Sequence, residues 1–127
     1  MGSIQKLYAL GQSLWYDNIQ RQLLKNGTLA AMIERKEIWG VTSNPSIFNK
    51  AISNSKDYTK QIKALAKDGL DKEGIYERLA IADIKTATDL FMPLYEETKG
   101  EDGYVSLEVN PYLARDTQAT LAEALRL

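Results

Sequence analysis

Along this chain, short extended segments alternate with longer helical ones, and two of the extended segments stop at an Asn-Pro step. A residue before proline is pushed out of the α region, while proline itself is favoured at the first helical position. Asn44-Pro45 therefore marks a strand-to-helix turn, and Asn110-Pro111 stops another extended run. The expected strands are Ser13 to Asp17, Ile38 to Ser43 and Tyr104 to Val109. Between the first two, a helical stretch runs through Ile19, Leu23 and Leu24 until Asn26-Gly27 stops it. Thr28 can cap a second short helix carrying Leu29, Met32 and Ile33 on one face. After Pro45, Ser55 is the expected cap for Tyr58, Ile62, Leu65 and Ala66. Asp71 is expected to cap a helix with a wide apolar stripe, Ile75, Leu79, Ala82, Ala87, Leu90 and Phe91, that Pro93 ends or kinks. Gly100 to Gly103 reads as a turn, and Leu113, Leu121 and Leu125 form a closing helical pattern.

The order β-α-β-α-β-α argues for parallel strands covered by helices. Three strands leave two open edges, and a parallel sheet wants both faces covered. A finished fold of this kind would want more chain, and the last helix has no closing signal at Leu127.

Composition removes several kinds of chemistry. The 127 residues contain no cysteine and no histidine. Thiolate catalysis, Ser-His-Asp chemistry and metal sites ligated by Cys or His are therefore excluded. A catalytic contribution must come from carboxylates, lysines, tyrosines, hydroxyls or amides. The net charge of −1 gives no electrostatic footprint for nucleic acid or an acidic membrane. No apolar run reaches the ~18 residues of a membrane span, and no secretory h-region opens the chain. Lys6 stands where a myristoylation signal wants Ser or Thr. A cytoplasmic location is expected.

Parity places the polar residues. Successive side chains on a strand point to opposite faces. Val105, Leu107 and Val109 share one face of the third strand, and Ser106 and Glu108 the other. Gly40, Thr42 and Asn44 share a phase opposite Val41, and Asp17 is the last residue of the first strand. Polar side chains thus gather at strand carboxyl ends, where parallel α/β folds build their sites. Each has a structural alternative. Asp17 can be a helix cap, Asn44 a turn residue and Thr42 good strand material. Glu108, between Leu107 and Val109, is the least ordinary, with solvation on an edge strand as the competing account. Trp15, Trp39 and Tyr104 are expected to pack helices onto the sheet.

These residues also form a recognisable pattern. Val41-Thr42-Ser43-Asn44-Pro45-Ser46-Ile47-Phe48 resembles the V-T-T-N-P-S motif of transaldolases. Leu14-Trp15-Tyr16-Asp17 and Val105-Ser106-Leu107-Glu108-Val109 resemble that family's flanking segments in order and spacing. The pattern looks like that of the longer bacterial subfamily, some of whose members are fused to glucose-6-phosphate isomerase. The resemblance implies an α/β fold of a definite kind. Residues 1–127 would be a partial barrel domain, the first three βα units of a (β/α)8 TIM barrel, truncated.

It also implies transfer of a dihydroxyacetone unit between sugar phosphates, through a Schiff base on a fourth-strand lysine, with no metal and no organic cofactor. Asp17 would be the acid/base on the sugar hydroxyl. Glu108 would move protons through water, and Thr42 and Asn44 would bind substrate hydroxyls or position that water. Ser43 departs from the commoner threonine, and Asn110 stands where the family often has Asp. The Schiff-base lysine motif is absent from this chain, so the isolated piece is expected to be inactive and prone to self-association. Two alternatives remain: a sugar-phosphate aldolase using the same imine chemistry, and a small non-catalytic α/β binding domain.

Overall fold

The computed structural model describes residues 2–127. Its elements are α1 (Ser3–Ala9), β1 (Trp15–Asp17), α2 (Arg21–Lys25), α3 (Thr28–Glu34), β2 (Gly40–Thr42), α4 (Pro45–Ser53), α5 (Thr59–Lys67), α6 (Lys72–Glu97), β3 (Tyr104–Val105), a 3-10 turn (Pro111–Leu113) and α7 (Thr117–Arg126). The strands form one parallel sheet in the order β1-β2-β3. Trp15 pairs with Gly40, Tyr16 with Val41 and Asp17 with Thr42. Gly40 pairs in turn with Tyr104, and Val41 with Val105. This is an α/β chain with a small parallel sheet, consistent with part of a barrel.

The strands follow apolar alternation. Val41 is wholly buried, and Tyr16 and Val105 pack against the same core. That core lies on one side of the sheet, where Phe48 from α4, Leu29 and Ile33 from α3, and Ala87 and Phe91 from α6 meet. A smaller cluster of Ala51, Tyr58 and Leu79 ties α4, the start of α5 and α6 together. Each large apolar side chain so buried contributes about 1.5–3 kcal/mol.

Several sequence expectations are corrected. The third strand stops at Val105 rather than Val109. Its ladder needs β2, and the β2 chain turns into α4 at Pro45. Past the strand, two hydrogen bonds tie the chain to the end of β2: the Ser106 N–H donates to the Val41 carbonyl, and the buried Ser43 hydroxyl donates to the Ser106 carbonyl. Of the two outcomes expected at Pro93, an end or a kink, the end does not occur: helix α6 runs on to Glu97. Burial of Phe91 and Leu94 on either side offsets the backbone bond that proline cannot make. Thr28 is the first residue of α3 rather than its cap, and its N–H is taken by the Asn26 side chain. Ser55 closes a local turn with Asp57, and α5 begins only at Thr59. Asp71 caps α6 as expected, accepting from the Gly74 N–H. Helix α1, which shows no clear apolar period, docks by stacking Tyr8 on Trp39 at 4.2 Å.

Candidate active site

Three of the four proposed site residues lie at the carboxyl ends of β1 and β2. The pairing of Asp17 with Thr42 puts their side chains side by side on one sheet face. The Thr42 hydroxyl donates to the Asp17 carboxylate at 2.7 Å. Asp17 is therefore not a helix cap; α2 starts only at Arg21, with Gln20 in the cap position.

Asn44 does two things. Its side-chain oxygen accepts the Ile47 N–H at 2.9 Å and caps α4. Because an N–H must meet an oxygen, the amide orientation is determined and the Nδ2 donor remains available. The turn reading and the site reading of Asn44 are compatible.

The face bearing Asp17 and Thr42 is open. Trp15 lies across Gly40, where an added Cβ would sit 2.5 Å from the indole. Only glycine permits that approach. Trp15 Nε1 donates to the Ser13 hydroxyl, and Ser13 donates to buried Asp102. Asp102 also accepts from the Tyr8 hydroxyl at 2.9 Å. This bond holds the Tyr8 phenol above its usual range, because an ionised phenol beside a carboxylate is disfavoured. The brace anchors the sheet at the amino ends of its strands. Of the three aromatics expected to pack helices onto the sheet, two meet a helix: Trp39 stacks on Tyr8 of α1, and Tyr104, though partly exposed, lies edge-on to Tyr95 of α6 at 5.5 Å; Trp15 stands partly exposed on the open face. The Trp15–Gly40 fit and the Ser13–Asp102–Tyr8 brace were not evident in the sequence, since their partners are far apart along the chain. The sole hint was glycine inside an otherwise apolar strand.

Glu108 lies apart from that pair. It is exposed, beyond the end of β3, and lines a groove of about 850 Å³ with Pro45, Tyr76, Asn110 and Tyr112. The groove reaches the proposed site through Pro45, the residue after Asn44. Tyr76, half-buried and edge-on to Phe48 at 6.0 Å, is the neighbour that sequence did not single out. Burial chiefly, and the Glu108 charge secondarily, push its phenol upward. The Asn110 side chain accepts the Tyr112 N–H and shapes this turn.

Among the described residues no lysine lies on a strand; the lysines occupy helices, turns or bends. Lys36, at a positive φ of 54° after α3, pairs with Glu97. Among the described residues no group of three or more acidic side chains is placed to hold a metal ion. Among them, too, no helix is long and apolar enough to cross a membrane.

Comparison with known proteins gives a consistent result. The model of the transaldolase/fructose-6-phosphate aldolase family matches residues 14–127. A transaldolase of Trichodesmium erythraeum is 50% identical over 117 residues, covering 92% of this chain and 31% of that protein. One from Thiobacillus denitrificans is 52% identical over 118 residues, covering 93% of this chain and 33% of its own length. One from Thermobifida fusca is 46% identical across 100% of this chain and 35% of its own length. The chain thus spans about a third of the length of these curated relatives. On the motif order, the parallel sheet and these matches together, this chain belongs to the transaldolase/fructose-6-phosphate aldolase family.

Proposed function

We propose that this chain supplies the opening three βα units of a (β/α)8 barrel that works as a cytoplasmic transaldolase in the pentose phosphate pathway. Its substrates are sugar phosphates, and it uses no metal or organic cofactor. The observation that carries the reading is the Asp17–Thr42 pair, set beside the Asn44 turn at the carboxyl ends of β1 and β2. That is where a parallel barrel does chemistry.

In this reading a lysine outside these 127 residues attacks the ketose carbonyl, and loss of water gives a protonated imine. Asp17 takes the proton from the sugar hydroxyl next to the breaking carbon–carbon bond. The bonding electrons pass into the imine, and an aldose phosphate leaves. The three-carbon unit, held as the enamine, then attacks the carbonyl of a second aldose, and Asp17 returns the proton. Glu108 assists imine formation and hydrolysis through water. Thr42 and Asn44 hold the polar edge of the site. The isolated chain is inactive because it lacks the nucleophile, and it self-associates through the free edges of β1 and β3.

Borohydride reduction in the presence of fructose 6-phosphate tests this. The intact protein carrying this chain should gain the mass of a reduced three-carbon adduct and require an aldose phosphate acceptor for turnover. The 127-residue chain should gain nothing. A metal-dependent reaction with no trapped adduct would reject the reading. Release of the three-carbon unit without an acceptor would favour the aldolase alternative, which the shared family name keeps open.

A further inference from the structure

A threonine hydroxyl has one proton to donate, and in Thr42 that proton is committed to Asp17 Oδ1 at 2.7 Å. It is not free for a substrate oxygen. The partnership is set by backbone register, since Asp17 and Thr42 are direct partners across β1 and β2. Threonine is stiff about χ1, so its hydroxyl direction is held by the strand. Asp17 is exposed, and without this bond its carboxylate would sample several rotamers. On the same face, one pleat toward the amino ends of the strands, Trp15 fills the space over Gly40 and leaves little room on that side. Trp15 is itself braced through Ser13 to Asp102. Oδ1 is thus engaged, and Oδ2 is the oxygen left open.

We propose that Thr42 is a positioning residue that works through Asp17, fixing its carboxylate so that the proton is exchanged at Oδ2. This deepens the site reading above and rests on Asp17 being the acid/base. It also separates Thr42 from Asn44, whose free Nδ2 donor makes it the direct substrate contact of the two.

The test uses the intact protein with a ketose phosphate donor and an aldose phosphate acceptor. Thr42→Val keeps the shape and β-branching but removes the hydroxyl. Its kcat should fall about tenfold to a hundredfold, the usual consequence of a misplaced catalytic group, with KM unchanged. Thr42→Ser should restore most of the rate. In an Asp17→Ala background, Thr42→Val should cost nothing further. Side-chain couplings measured by NMR should show one Asp17 rotamer in the parent and averaging in Thr42→Val. Three results would each overturn the inference: a raised KM at unchanged kcat, an equal loss in the Asp17→Ala background, or a single Asp17 rotamer in Thr42→Val. Full activity in Asp17→Ala alone is a separate result, removing the acid/base reading and this inference with it.

Discussion

Tyr16, Val41 and Val105 look into the helix layer, while their strand neighbours Trp15, Gly40, Thr42 and Tyr104 look the other way. On the helix side nearly every polar group is satisfied. Beyond the apolar core, Asp83 accepts from Arg21 Nε at 2.8 Å and from the Tyr58 hydroxyl at 2.7 Å. The Arg21 guanidinium stacks over the Tyr58 ring at 4.2 Å, and the Arg21 N–H donates to the Tyr58 oxygen. Among the described residues, Arg21 Nη2 is the one buried side-chain polar atom without a partner. On the open side a carboxylate, a hydroxyl and an amide sit at the strand ends with hydrogen-bonding capacity left over. A period of two along three short strands thus separates stability from chemistry. Substitutions on one face should unfold the chain without a specific effect on reactivity, and those on the other should do the reverse.

The sharpest way to break this division is Asp83→Ala. It leaves the Arg21 charge buried without compensation and should cost about 3–5 kcal/mol in a urea melt. If the variant melts with its parent, the helix side is not where stability resides.

Tyr58→Phe comes next. It leaves one Asp83 oxygen short of a donor, at about 1–3 kcal/mol. It should also alter the alkaline limb of stability. Burial first, and Asp83 second, raise the Tyr58 phenol well above its ordinary value. A raised folded-state value means that the contribution is fully present below the unfolded pKa of about 10 and is lost as pH climbs through the folded one. Melts between neutral and strongly alkaline pH should therefore show a shallower decline in Tyr58→Phe. Tyr8 and Tyr76 shift in the same direction and will keep part of the slope.

Asn44 sits on the boundary and sharpens the comparison. Asn44→Ala should cost about 1 kcal/mol through loss of the α4 cap. Asn44→Asp keeps the capping oxygen and should melt with the parent, but it removes the Nδ2 donor and should impair the intact protein as severely as alanine does. Equal activity in parent and Asn44→Asp would mean that the cap is Asn44's whole function.

The smallest stability effect belongs to Asp17→Asn, on the open face. It should leave the melt within about 0.5 kcal/mol, as surface changes do, while abolishing turnover in the intact protein. A large destabilisation would make Asp17 structural.

Local rules carried much of the fold. Asn44, expected at the turn before Pro45, and Asp71, expected to cap its apolar stripe, each cap the helix that follows, because each bond spans only three residues. The strand positions came from alternation. The misses share a cause. Helix α6 does not end at Pro93, where Phe91 and Leu94 are buried on either side. Helix α1 is held by Trp39 and by the carbonyls of Arg35 and Lys36, which accept from Gln5. No window of sequence contains those partners.

What the sequence determined by itself is the parallel α/β class, the motif order that marks the family, and the placing of Asp17, Thr42 and Asn44 at strand carboxyl ends. Periodicity, caps and proline act within a few residues, so they can be read from the chain. What only the tertiary structure decided is which of those residues touch. The β1–β2 register joined Asp17 to Thr42, Gly40 admitted Trp15, and the end of β2 at the α4 turn stopped β3 early, placing Glu108 in a groove with Tyr76. These depend on contacts between distant segments, and register becomes definite only when the sheet closes on its helices.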